Sequence, residues 1–88
     1  MPLNWKTNYW IRTPLLISDF KIDDKVRVVK KVESYDGWGT TWENSMDAAI
    51  GKFGKVRQIR INDNMLLIDF ELGIRSNWYP PSALEKVY

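Results

Sequence analysis

The sequence predicts one all-β domain, and three observations lead to this prediction. The chain has 88 residues, which fits a single domain. Short runs rich in β-branched and aromatic residues alternate with clusters of glycine, proline, asparagine and aspartate. No run carries the helical period of a regular α-helix. Aromatic residues make up 14% of the chain, so large rings compensate for the thin core of a small domain.

The first clear elements lie before residue 51. A turn at residues 23–24 precedes a strand predicted at 26–32, where β-branched residues dominate. The long segment YDGWGTTWENSMD follows, and neither helical nor strand periodicity runs through it. We expect one helical turn at 45–50, with Asn44 or Ser45 as its cap.

The middle of the chain predicts a hairpin. Residues 51–54, with a glycine at each end, predict a tight turn. A second strand is expected at 55–61, and its apolar phase slips between Val56 and Ile59, which indicates a β-bulge. Residues 62–64 are the hairpin turn, since asparagine and aspartate tolerate a left-handed backbone.

Three elements complete the domain. The third strand is expected at 65–70, with Leu66, Ile68 and Phe70 on the core face. A fourth short strand follows at 75–79. The prolines in residues 80–84 remove backbone donors, so a 3₁₀ turn is predicted there. A last edge strand is expected at 85–87.

Five short strands, a long first loop and a 3₁₀ turn before the last strand predict a small SH3-like barrel. A five-stranded OB-type barrel is the alternative, although that fold usually needs a longer chain and a helix between strands. We place the barrel at residues 22–88. Residues 1–21 are predicted to form an N-terminal extension packed on the barrel, with Trp5, Trp10 and Phe20 as anchors; the alternative is a partly mobile tail.

Composition limits the chemistry open to this chain. It has no cysteine and no histidine, so disulfides, thiolate chemistry and Ser-His-Asp catalysis are excluded, and we expect neither an enzyme nor a cofactor or metal. The net charge of +2 is far below that of a dedicated nucleic-acid protein. No apolar run is long enough for a membrane span and no signal peptide is recognisable, so a cytoplasmic protein is expected.

Several motifs in order resemble the SH3-like repeat of Mind bomb-type ubiquitin ligases. They are DKVRV at 24–28, YDGWG at 35–39, IGKFGKV at 50–56, IDF at 68–70 and WYPPSALE at 78–85. The resemblance covers residues 22–87 and implies a barrel whose relatives bind protein segments. Ligase activity is not implied, because the RING-type Cys/His set is missing. The 51–56 turn is also similar to the KOW motif of other SH3-like barrels.

The aromatic residues predict a protein-binding groove. In an SH3-like barrel the long first loop and the 3₁₀ turn flank one groove, where rings supply contact area at low entropic cost. The residues expected there are Tyr35, Trp38, Trp42, Trp78, Tyr79 and Pro81. Trp38 and Trp42 have an alternative role as a lid folded back on the core. We expect a non-catalytic module that holds or masks a partner, as an adaptor or an inhibitor.

A basic face predicts the alternative function, which is binding to nucleic acid or to the ribosome. Its residues are Lys30, Lys31, Lys52, Lys55, Arg57 and Arg60. If strand pairing clusters them beside aromatic rings, contact with phosphates and bases of a single strand is expected. The alternative is an ordinary solvated polar face. The oligomeric state stays open, because the edges of a small barrel are able to pair.

Overall fold

The computed structural model describes residues 16–33, 37–71 and 73–87. The strands are β1 Lys25–Val28, β2 Phe53–Arg60, β3 Met65–Phe70, β4 Asn77–Tyr79 and β5 Leu84–Lys86. They form a five-stranded antiparallel sheet in the order β4-β3-β2-β1-β5. The helical elements of the described residues are short 3₁₀ helices at Ile17–Asp19, Asn44–Ala49 and Pro81–Ala83.

The strand order confirms the predicted fold class. Strands β1, β2 and β3 each pair with the next strand in sequence, while β5 returns to the free side of β1. A long connection joins β1 to β2, and the 3₁₀ helix Pro81–Ala83 stands directly before β5. These are the features of a small all-β barrel of the SH3-like type.

Every strand contributes to one core, around which the sheet coils. The fully buried strand residues are Val26, Val28, Val56, Leu66, Ile68 and Tyr79, and Leu84 of β5 is 4% exposed. They belong to a single apolar cluster that also takes in side chains from the long connection and the last 3₁₀ helix. Because all five strands supply this core, each large side chain in it is packed by residues that are distant in sequence.

The predicted β-bulge in the second strand is confirmed. Val56 pairs with Ile68, but the next pair joins Gln58 to Leu67, so the register shifts at Arg57. An extra residue in one strand increases the local twist and bends that strand. The bulge therefore helps β2 to curve around the core, and it separates the two ends of β2.

Strand ends differ from the prediction around the long connection. Strand β1 ends at Val28 rather than at 32: the Val29 N–H makes one more bond of the β1–β5 ladder, to the Ala83 carbonyl at 2.7 Å, where β5 gives way to the 3₁₀ helix Pro81–Ala83. Gly51, at φ 86°, makes the expected turn, but β2 already begins at Phe53. The 3₁₀ helix has Glu43 at its N-cap, not the predicted Asn44 or Ser45.

The N-terminal extension is described only from Leu16 onward. Within this part, Phe20 is 4% exposed and Ile17 packs against the core. The Lys86 ammonium donates to the Asp19 carbonyl at 2.8 Å, which ties the segment to β5. The anchors Trp5 and Trp10 lie outside the described residues.

Candidate functional site

Trp38, which sequence analysis left open between lid and binding surface, lies in the core. Only 8% of its surface is exposed. Its indole N–H donates to the Glu33 carbonyl oxygen at 2.9 Å, so the polar end of the ring is satisfied. Gly37 before it has φ 88°, a conformation that glycine adopts without strain. The ring therefore acts as a core side chain rather than as a surface offered to a partner.

Trp42 is half-buried against the same core. Its ring meets the Tyr79 ring edge-on, with centroids 5.6 Å apart and an interplanar angle of 75°. Its indole N–H donates to Asp47 Oδ1 at 2.7 Å. That carboxylate thus orients Trp42 within the long connection. The contact between the Trp42 and Tyr79 rings holds the long connection against β4.

Tyr79 and Pro81 are also buried, and the Tyr79 hydroxyl has an unusual environment. The side chain of Tyr79 is fully buried, and its oxygen has no hydrogen bond of ordinary geometry within the described residues. Burial raises the pKa of Tyr79 to about 12, while the nearby side-chain amide of Asn77 limits the rise. Desolvation opposes the charged phenolate, which explains the direction.

Trp78 points away from the other rings. Neighbouring residues of a strand face opposite sides, so the inward Tyr79 directs Trp78 to the outer face of β4. There it lies beside Leu67, its partner across the ladder. The Arg60 guanidinium carbon stands 5.3 Å from the centroid of the Trp78 ring. This half-buried ring is therefore covered in part by a cation of the same molecule.

The structure divides the residues expected to form one aromatic groove. Trp38, Tyr79 and Pro81 are buried, Trp42 and Trp78 are half-buried, and Tyr35 lies outside the described residues. Trp42 contacts the inner face of β4 while Trp78 lies on the outer face. The members of this set that the structure describes therefore do not form one groove of exposed rings.

The predicted basic residues are all exposed, and two of them lie near carboxylates. The predicted set is Lys30, Lys31, Lys52, Lys55, Arg57 and Arg60. Lys31 pairs with Glu33 at 3.8 Å in the long connection. Arg60 lies near Asp63, at 3.6 Å, beyond the bulge. Lys52 and Lys55 instead flank an aromatic ring near the beginning of β2. The bulge lies between these two lysines and Arg60.

That ring is Phe53, an exposed aromatic side chain at the beginning of β2. Half of its surface is exposed, at 50%. The Lys25 ammonium stands 5.5 Å from the ring centroid, and the Arg27 guanidinium carbon stands 5.9 Å from it. Cations at such distances are attracted by the ring quadrupole. Phe53 is therefore held in place by cations while it stays open to solvent.

Phe53 borders a groove of about 500 Å³, which we call the Phe53 groove. The groove is lined by Lys25, Phe53, Gly54, Lys55, Asp69, Phe70 and Glu71. A smaller hollow of about 270 Å³ shares Phe53, Phe70 and Glu71 and adds Lys52 and Ile74. Together they form an open surface with apolar side chains between charged ones.

Gly54 explains why the strands meet so closely beneath the groove. A Cβ atom at this position would lie 2.7 Å from Ile68 Cγ2 and 2.8 Å from the Asp69 carbonyl oxygen. Only glycine lets β2 approach β3 at this point. Gly54 faces inward, so Phe53 and Lys55 on either side face outward. The glycine thereby fixes which side chains reach the groove.

The electrostatics of the groove are uneven. Lys25 of β1 and Lys55 of β2 are directly opposite each other in the ladder, and Asp69 is opposite Lys55 on β3. Asp69 accepts a hydrogen bond from the Ser76 hydroxyl at 2.7 Å. Arg27 pairs with Glu85 at 2.8 Å. The groove thus has ammonium groups at its β1 and β2 side and carboxylates at its β3 side.

Sequence analysis missed the central ring of this surface. Phe53 lay in a stretch whose flanking glycines predicted a turn, so it was not considered a strand residue. The signal was present in the alternation of Phe53 and Lys55 with Gly54 and Val56, which is the pattern of a half-buried strand. The inward-facing glycine concealed that pattern.

The groove offers apolar and charged side chains for contact with another molecule. Among the described residues, no three carboxylates lie close enough together to hold a metal ion. No helix in residues 16–33, 37–71 or 73–87 is long and apolar enough to cross a membrane. The side chains present supply apolar contact, cation–π contact and ion pairing, which are the means of recognising another molecule.

No protein-family model matches this chain, and a search of curated proteins returns no match. The resemblance to Mind bomb-type repeats stays a prediction, and the function is inferred below from the surface itself.

Proposed function

We propose that this protein is a non-catalytic protein-binding module that holds or masks a segment of a partner through the Phe53 groove. The observation that carries the proposal is the half-exposed Phe53 ring, placed beside a groove of about 500 Å³ and bordered by charged side chains. Such a module acts by occupancy, as an adaptor or as an inhibitor.

The composition of the surface supports a protein partner. Protein interfaces have an apolar centre, often aromatic, inside a polar rim. Phe53, Phe70 and Ile74 supply the apolar part, and the lysines and carboxylates around them supply the rim. Aromatic side chains, phenylalanine included, are enriched at the centre of protein interfaces.

The mixed charge favours a protein over a nucleic acid. A groove for phosphates is expected to be lined by cations alone, since each phosphate contact depends on a positive charge. Asp69 and Glu71 line the Phe53 groove beside its lysines. A nucleic-acid backbone carries a negative charge on every nucleotide and would meet these carboxylates, whereas a protein segment is able to place its own carboxylates on the β1 and β2 side alone.

Site-specific photo-crosslinking tests the proposal. A benzophenone amino acid replaces Phe53 in one variant and Ile61 in another. Ile61 is 71% exposed but lies in the β2–β3 turn, so it is a matched exposed control. We expect protein adducts in the native host lysate at position 53 that an excess of unlabelled protein competes away, and few at position 61.

A second pair of variants guards against a folding artefact. Phe53→Ala and Ile61→Ala are used as the unlabelled competitors. Ile61→Ala is expected to compete as the natural chain does, and Phe53→Ala at least about tenfold less well, equal to about 1.4 kcal/mol. Equal crosslinking at both positions, or equal competition by both variants, contradicts the proposed function.

A further inference from the structure

We infer that the partner segment is acidic and carries an apolar side chain next to its carboxylates. This inference rests on the proposed function and specifies the chemistry of its ligand. The carboxylates are expected between Lys25 and Lys55, and the apolar side chain on Phe53. The occupant is thus a protein segment, defined by its charge and not by a name.

The first support is a pair of like charges placed face to face. Lys25 and Lys55 are register partners of adjacent antiparallel strands. Side chains directly opposite each other have Cβ atoms roughly 4.5–5.5 Å apart, and like charges at that spacing destabilise a sheet. A carboxylate bound between the two ammonium groups removes this repulsion. The pair of lysines is therefore stabilised most when an anion is bound between them.

The second support is that these cations have no ion-pair partner within the part of the chain that the structure describes. Among the described residues, neither Lys25, Lys52 nor Lys55 lies within 4.0 Å of a carboxylate oxygen, whereas Arg27 is engaged by Glu85 at 2.8 Å. Asp69, opposite Lys55, accepts from Ser76 instead. Three ammonium groups around one exposed ring are thus left to pair with an incoming segment.

The third support is the place of the ring. Phe53 faces the same side of β2 as Lys55, and the Lys25 ammonium stands 5.5 Å from its centroid. An apolar side chain next to a bound carboxylate then meets Phe53, with Phe70 and Ile74 alongside. Apolar contact supplies affinity, while the lysines select the sign of charge and increase the association rate.

Two short capped peptides test the inference. Glutamate and leucine alternate in the first, and lysine replaces every glutamate in the second. Each is titrated into the isotopically labelled full chain, with the backbone amides of Phe53, Gly54 and Lys55 followed by NMR. We expect the acidic peptide to shift these amides, with an affinity that falls as salt rises, and the basic peptide to leave them nearly unchanged.

Charge-reversal variants supply the control. Lys25→Glu and Lys55→Glu are each expected to weaken the acidic peptide at least about tenfold. Lys30→Glu makes the same charge change at an exposed residue that does not line the groove, and is expected to leave binding close to natural. The double variant, Lys25→Glu with Lys55→Glu, should instead bind the basic peptide more tightly than the acidic one.

The outcomes separate the inference from the function it rests on. Equal binding of both peptides, no binding of the acidic one, or tighter binding of a single-stranded oligonucleotide overturns the inference. If crosslinking at position 53 persists in those cases, the proposed function stands with a different partner chemistry. If that crosslinking is also no stronger than at position 61, both fail.

Discussion

At the scale of single residues, the aromatic side chains divide into structural and surface groups. Trp38 is buried and hydrogen-bonded, and Tyr79 is fully buried between Trp42 and Phe70. Phe53 is half-exposed and touches cations rather than the core. Aromatic side chains thus stabilise the fold at some positions and are open to a ligand at another. Mutations at these positions are able to separate the two roles.

Replacing Trp38 is expected to affect stability far more than replacing Phe53. Trp38→Ala leaves a cavity in the core and should cost about 3–5 kcal/mol of unfolding free energy. Phe53→Ala removes an exposed ring and should cost less than about 1 kcal/mol. Urea unfolding monitored by circular dichroism measures both. A Phe53→Ala chain that is as unstable as Trp38→Ala would show that the ring is structural.

Tyr79 is expected to make the fold sensitive to high pH. Its pKa rises from 10.0 to about 12 on folding because the ring is buried. The folded state therefore binds the phenol proton more tightly than the unfolded state. The contribution to stability is complete below pH 10.0 and is lost as the pH rises toward about 12.

The Tyr79→Phe variant isolates this effect. The difference in unfolding free energy between natural chain and variant, measured at pH steps through that window, cancels the titration of other tyrosines and lysines. We expect the natural chain to lose stability relative to the variant as the pH rises. At neutral pH the variant should be equal or more stable, because it removes a buried hydroxyl without a hydrogen bond. A pH-independent difference would contradict the assignment.

At the scale of elements, the close approach of β2 to β3 positions the groove. Gly54→Ala is expected to destabilise the fold by about 1–3 kcal/mol, because its Cβ would lie 2.7 Å from Ile68 Cγ2 and 2.8 Å from backbone. Gln58→Ala, at an exposed position of the same strand, is the control and should change stability little. Chemical denaturation compares them. Equal stability would mean that the strands separate without cost.

The element boundaries show where sequence reasoning succeeds and where it stops. The third strand was predicted at its observed bounds, Met65–Phe70, since a short apolar run begins directly after the turn residues 62–64. The bulge near Arg57 was visible as a slip in the apolar phase. The end of β1 was predicted too late, because its last ladder partner, Ala83 opposite Val29, belongs to a 3₁₀ helix far along the chain that local β propensity does not reveal.

At the scale of the whole molecule, the segment before β1 belongs to the same core as the barrel. Phe20 is 4% exposed, whereas Ile22, two residues later, is 53% exposed. Phe20→Ala should therefore cost about 3 kcal/mol or more, and Ile22→Ala less than about 1 kcal/mol. Thermal unfolding followed by tryptophan fluorescence should show one transition for both. A harmless Phe20→Ala would mean that this segment is only loosely attached.

The sequence by itself determined the all-β class, the approximate strands, the bulge and the exclusion of histidine and cysteine chemistry. These follow from composition and from local periodicity, which any short window of the chain displays. Only the tertiary structure decided which rings are buried and that Phe53 lies beside Lys25 and Lys55. The period of a strand shows that neighbouring side chains face opposite sides of the sheet. Which side becomes the core depends on pairing between strands that are far apart in sequence.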